Sequence, residues 1–209
     1  MDTKYSKSVF LHHQVRRGLQ TGRYMPGQRI DPATLAEEFQ TSPTPVLFAL
    51  YRLVGEGLII DQARSGFYVP LPTEVAMRDL YEWMERLLLM ACDSAPRAST
   101  RLLPELVSAS PNRDLVKLTW KMFDAIAAST GKRSLHRAVR QANDQLAPIR
   151  RAKQKLLEDP LEELLAIDRA WGRRDAVKLR RQLRGYYARR KQLVPQIVHL
   201  LNEDSNRFH

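Results

Sequence analysis

Two short β-prone runs, LIIDQA (residues 58–63) and FYVPL (67–71), are joined by Arg64-Ser65-Gly66, and no β pattern follows Val69. A hairpin with glycine supplying a positive φ is the economical reading of the pair. It leaves the rest of the chain to helices, and the order of helices and hairpin then restricts the fold.

Ahead of the hairpin, Ser6 to Thr21 spaces Val9, Phe10, His13, Val15 and Leu19 roughly as a helix does, with Gly22 as a stop. Pro26-Gly27 marks a turn. Asp31 then caps a short helix, PATLAEEF, with Pro32 at its first position. Ser42 is the cap of a third helix whose Val46, Leu50, Leu53 and Val54 stripe one face until Gly55 and Gly57. Three helices followed by a hairpin is the winged helix-turn-helix order. Pro70, Pro72 and Thr73 form a stiff connection, which sets a first domain at 1–72 and a second at 73–209. The second reads as an all-α bundle of about six helices: Glu74 to Asp93, a short one within Pro96 to Pro111, two or more between Leu115 and Leu157 broken near Gly131, then Leu161 to Trp171 and Asp175 to Leu201. The fold class is therefore mainly α.

Cys92 stands alone, so neither a disulfide framework nor a cysteine zinc site can be built within one chain. No apolar run approaches the roughly 18 residues of a membrane span, and the first ten residues lack a signal-peptide core. A cytoplasmic protein without membrane contact is expected. No nucleophile–base constellation or phosphate loop is present, and Glu162-Glu163, being adjacent, diverge on a helix, so no enzyme is expected. The net charge of +11 points to polyanionic partners. Up to Pro72 the chain has 8 basic and 6 acidic residues, against 26 and 17 beyond it, so the charge is concentrated in the second domain.

The spaced set Leu19-x-x-Gly22, Pro26-Gly27-x-x-Ile30, Leu35-Ala36-Glu37, Ser42-x-Thr44-Pro45-Val46, Ala49-Leu50, Leu53-Val54-x-Glu56-Gly57-Leu58 and Ser65-Gly66-Phe67-x-Val69 resembles the GntR family DNA-binding domain. The helical remainder, with Asp79-Leu80-Tyr81-Glu82, AIAASTG at 125–131 and Arg173-Arg174-Asp175-Ala176, resembles the effector and dimerisation (FCD) domain of its FadR-like branch. The resemblance implies double-stranded DNA as partner, a homodimeric repressor on a palindromic operator, and a small anionic effector. DNA contacts are expected at Lys7, Ser42, Thr44, Arg52, Arg64, Ser65 and Gly66, and ligand contacts at Trp120, Phe123 and Tyr186, with Arg137 and Arg140 of the basic run as partners of an anionic ligand.

The departures from the family matter equally. It commonly has arginines where this chain has Pro43 and Leu47, which weakens guanine readout. Thr44 and the backbone amides at the start of the third helix are left to contact DNA. Many FCD domains hold a divalent ion through one aspartate and three histidines; Thr119, Phe123, Leu164 and Tyr186 stand at those positions, so neither a metal nor any other cofactor is expected. Arg16 and Arg17 are read as a solvated face. The basic runs 132–155 and 169–191 read as an anion pocket in the bundle, as solvated surface, or as a face for nucleic acid or an acidic protein. The alternative function is a winged helix repurposed for protein interaction, without sequence-specific DNA binding.

Overall fold

The computed structural model describes residues 2–63, 65–93, 114–153, 156–157 and 159–206, and among them nine helices and one three-stranded sheet. Helix α1 (Asp2–Thr21) buries Leu11, Val15 and Leu19 at four-residue spacing. It begins one turn earlier than its apolar stripe because no breaker lies between Asp2 and Ser6. Gly22, at φ +84°, ends it.

The Pro26-Gly27 turn is followed by strand β1 (Arg29–Ile30), which the sequence pattern does not announce; two residues are too few to show alternation. Helix α2 (Pro32–Glu38) has the expected cap, with the Asp31 carboxylate accepting from the Thr34 amide at 2.8 Å and Pro32 in the first turn. Helix α3 (Pro43–Gly55) follows the turn at Gln40. Strands β2 (Ile60–Gln62) and β3 (Gly66–Tyr68) form the hairpin, Gly66 at φ +99°, and β3 is central, pairing Phe67 with both Asp61 and Ile30. Ile30, Leu35, Val46, Leu50, Leu53, Ile59 and Phe67 close a core of their own with α1.

Six helices follow: α4 (Glu74–Asp93), α5 (Leu115–Ala128), α6 (Arg133–Ala152), α7 (Pro160–Gly172), α8 (Ala176–Gln192) and α9 (Val194–Asn206). They enclose a second core around Tyr81, Met84, Leu88, Met122, Phe123, Val139, Leu146, Ile167, Leu183 and Tyr187. The expected short helix within 96–111 lies outside the described residues. The apolar stripe of 175–201 belongs to two helices, not one. Pro195 has no N–H for the Lys191 carbonyl, the chain caps at Leu193, and that carbonyl takes the Arg78 guanidinium instead at 2.8 Å.

The two cores meet along α1 and α6. Asp144 of α6, almost fully buried, accepts from Gln20 Nε2 (2.7 Å) and Arg16 Nη2 (2.6 Å), both on α1. Arg151 donates to the Gln20 carbonyl at 3.1 Å, and Gln141 and Gln145 donate to the Glu56 carbonyl at 3.2 and 3.4 Å. Gly27, at φ +84°, lies so close to α9 that a Cβ there would sit 2.2 Å from Ser205 Oγ.

Candidate nucleic-acid interface and buried cation cavity

One side of α3 lies in the first core through Val46, Ala49, Leu50 and Leu53, and the opposite side is open. Ser42, Pro43, Thr44, Phe48 and Tyr51 are exposed there. Ser42 is the N-cap, yet its hydroxyl makes no capping bond. A capping oxygen accepts from the amide two or three residues on; Pro45 has none at the third position, which leaves the Thr44 N–H as the one capping donor, and the hydroxyl does not take it. The same prolines thin the helix's anion-binding terminus. Of the first amides only those of Ser42 and Thr44 remain, fewer than expected of an unmodified helix start.

Lys7 of α1 and Ser42 border one shallow concavity with Gln40 and Thr41. At the wing, Ser65 is exposed and its backbone closes the turn onto the Gln62 carbonyl at 3.0 Å, while Gly66 begins β3. Arg64 lies outside the described residues. Arg52 is also exposed on α3 and pairs with Glu56 one turn on. Its Nε approaches Glu56 at 3.3 Å, and Glu56 also meets the buried His12 at 2.9 Å.

Arg52 also borders a cleft of about 620 Å³ between the winged helix and α6, together with Arg16, Arg133, His136, Arg137 and Arg140. Two of the expected ligand residues, Arg137 and Arg140, are therefore here. Arg140 lies 5.6 Å over the Trp120 ring and 3.5 Å from Asp124, which also meets His136 at 2.8 Å. Trp120 donates its indole N–H to Asp144 at 2.8 Å. Arg16, expected on a solvated face, is an ion-pair partner of Asp144, because α6 packs against that side of α1.

The other two expected ligand residues lie deeper. Phe123 is wholly buried, its ring edge-on to Tyr186 at 5.3 Å. Tyr186 lines a separate cavity of about 120 Å³ with Thr119, Arg150, Lys153 and Arg190. These three cations are 5, 1 and 2 % exposed. Arg190 donates to Glu163 at 2.6 Å and stacks on Tyr186; Arg150 donates to Asn143 Oδ1 at 2.6 Å; Lys153 donates to the Tyr81 hydroxyl at 2.5 Å. Arg150 Nη2 and Arg190 Nε are buried without an acceptor. Burial, reinforced by Arg190 and Arg150, holds the Lys153 pKa well below its ordinary value. Arg190 has Glu163 as its counterion, whereas Arg150 and Lys153 have no carboxylate partner among the described residues; burying such groups is costly, and an anion would relieve it.

Asn143 links this cavity to the cleft, since its amide also donates to the Trp120 carbonyl at 2.8 Å. Of the five expected ligand residues, Arg137 and Arg140 line the cleft and Tyr186 the cavity, while Trp120 and Phe123 line neither and pack behind them; Arg150, Lys153, Arg190, Asp144 and Phe48 are added. Among the described residues no His/Cys/Asp/Glu group could hold a metal ion, and no helix is long and apolar enough to cross a membrane.

Residues 7–69 match the family described as bacterial regulatory proteins, gntR family. Over 59 residues the chain is 37 % identical to the Nta operon transcriptional regulator of Aminobacter aminovorans, a stretch spanning 28 % of each protein. The chain thus covers less than a third of that relative. Two solved structures share the fold across most of the length. E. coli McbR/YncC aligns with TM-score 0.68 at 19 % identity, covering 91 % of this chain and 97 % of its own. A GntR transcriptional regulator of Rhodococcus sp. RHA1 aligns with TM-score 0.73 at 15 % identity, covering 91 and 98 %.

Proposed function

We propose that this chain, which carries a GntR-family domain at residues 7–69, is a DNA-binding transcription regulator: residues 1–72 bind DNA, and residues 73–209 dimerise and take an effector. The observation that carries the reading is the open outer face of α3 beside the wing, within the family-matched segment. In this reading Ser42 and Thr44 meet the duplex through a free hydroxyl and two free amides, Lys7 meets a phosphate, and the wing at 64–66 meets the flanking groove.

The regulator acts as a homodimeric repressor on a palindrome, one winged helix per half-site. Support for the dimer comes from α4, which turns Val75, Trp83 and Met90 outward at heptad-like spacing, 78, 50 and 52 % exposed. The test is selection of duplexes from a random pool by the full chain at about 0.15 M salt, where screening is already substantial. A palindromic consensus is expected. No enrichment by a folded dimer overturns the reading and favours a winged helix repurposed for protein contact.

A small anionic effector is supported by the three buried cations and two orphaned guanidinium N–H groups of the bundle cavity. The cavity, about 120 Å³ and open to solvent on one side, accommodates a short carboxylate, since cavities of ~150 Å³ accept benzene. An anion there competes with Asn143 for Arg150, and Asn143 holds the Trp120 carbonyl beside the Asp144 link to α1. Calorimetric titration with C1–C4 monocarboxylates tests it: saturable binding lost in Arg150→Met is expected, and no heat with any of them refutes it.

A further inference from the structure

We propose that α3 reads thymine methyl groups, with Phe48 as the principal specificity-determining contact and Thr44 and Tyr51 on either side of it. The proposal rests on the DNA-binding reading above and deepens it.

Thr44, Phe48 and Tyr51 are spaced i, i+4, i+7, so they form one stripe along the helix. That stripe is the side opposite the buried Val46, Ala49, Leu50 and Leu53. Phe48 is 67 % exposed and Tyr51 54 %. Single exposed apolar side chains are ordinary. Two aromatic rings on one stripe of one helix, next to a threonine, are a surface with a common purpose. Tyr51 is also held in place, its ring edge-on to Phe67 of β3 at 5.3 Å, so little side-chain freedom is lost when it is covered.

The same face carries hydroxyl donors but no arginine of its own: Arg52, the one arginine of α3, meets Glu56 through Nε at 3.3 Å, and prolines remove two of the first amides. A major-groove edge offers one apolar feature, the C5-methyl of thymine. The threonine methyl and the Phe48 ring match that feature, and neither can make the bidentate contact by which arginine reads guanine. The adjoining concavity brings Ser42 and Lys7 up to this face, with Glu37 beside them, and it is the family-matched segment that argues for duplex DNA as the occupant.

The test uses the full-length protein and the half-site recovered from random duplexes. Each thymine is replaced in turn by uracil, which deletes the methyl and nothing else, and binding is followed by anisotropy at fixed salt. One buried methyl is about 0.8 kcal/mol, so loss of about fourfold is expected at one or two positions. Phe48→Ala should bind more weakly and lose thymine-over-uracil preference at its own position, with an unchanged salt slope because no phosphate contact is removed. Indifference to uracil at every position, or preference retained in Phe48→Ala, overturns the proposal while an enriched operator leaves DNA binding intact. Failure to enrich any operator overturns both. The uracil arm leaves the protein unaltered, so a poorly folded variant cannot imitate the result.

Discussion

Asp144 ties the winged helix to the bundle, and replacing it should reveal how strongly. Its carboxylate accepts from Trp120 and Gln20 on Oδ1 and from Arg16 on Oδ2. The Asp144 side chain is 6 % exposed and that of Arg16 18 %, so the ion pair is mostly sheltered, yet Arg16 borders the cleft and can regain water. Breaking a buried pair costs about 3–5 kcal/mol, and partial resolvation places Asp144→Ala near the lower end, at about 3 kcal/mol. For a chain of this length each kcal/mol lowers the melting temperature by about 2–4 °C, so a fall of roughly 6–12 °C is expected. Asp144→Asn keeps an oxygen for the indole but turns an amide donor toward Arg16, and should cost about half as much. Urea unfolding followed through tryptophan emission reads these values. A double-mutant cycle with Arg16→Ala should return a coupling of about 1–3 kcal/mol. An Asp144→Ala protein within about 0.5 kcal/mol of the wild type, or a cycle energy near zero, would refute the link.

Lys153 gives a pH signature of definite sign. Its folded pKa is depressed by burial, then by Arg190 and Arg150; between that value and about 10.4 the unfolded chain binds the extra proton, so ligand-free stability rises with pH. Lys153→Met should abolish the slope and stabilise the ligand-free protein by about 1–2 kcal/mol near pH 7, and parallel stability curves for the two proteins would contradict this. For the proposed homodimer, light scattering of Trp83→Arg should give a folded monomer; an unchanged dimer would remove α4 from the interface. Burial pushes the Cys92 thiol up to about 11, so a disulfide reagent at pH 8 should label it only as fast as the protein opens, and labelling within the mixing time would show an accessible thiolate.

What the sequence discloses and what it hides divide along a physical line. Asp31 with Pro32, and Gly66 in the wing turn, act on residues within three positions, so α2 and the hairpin are legible from local chemistry alone. Strand β1 exists only through its pairing with β3, and nothing in two residues reports partners 37 and 39 positions away. At the candidate interface Ser42 and Thr44 follow from the resemblance, whereas the direction of Arg52 was decided by Glu56, one turn on. Arg52, Arg137 and Arg140 were assigned to different ligands and share one cleft because α3 and α6 meet only in the folded chain.

The cation cavity was the more readable of the hidden features. Buried positions of α6 run Val139, Ala142, Asn143, Leu146, Ile149 at spacings of three and four, and the same stripe continues through Arg150 to Lys153. The composition of the basic run leaves pocket, surface and partner face open, and it is the helical period in the folded α6 that carries Arg150 and Lys153 inside. The contrast between neighbours shows why charge is the weaker guide. The Arg189 side chain is 52 % exposed and that of Arg190 3 %, though both meet Glu163. One residue along a helix turns a side chain through about 100°, enough to carry a guanidinium from water to the Tyr186 ring. Where an apolar stripe extends into a basic residue, the stripe predicts burial, and a buried cation without its own acid predicts an anion.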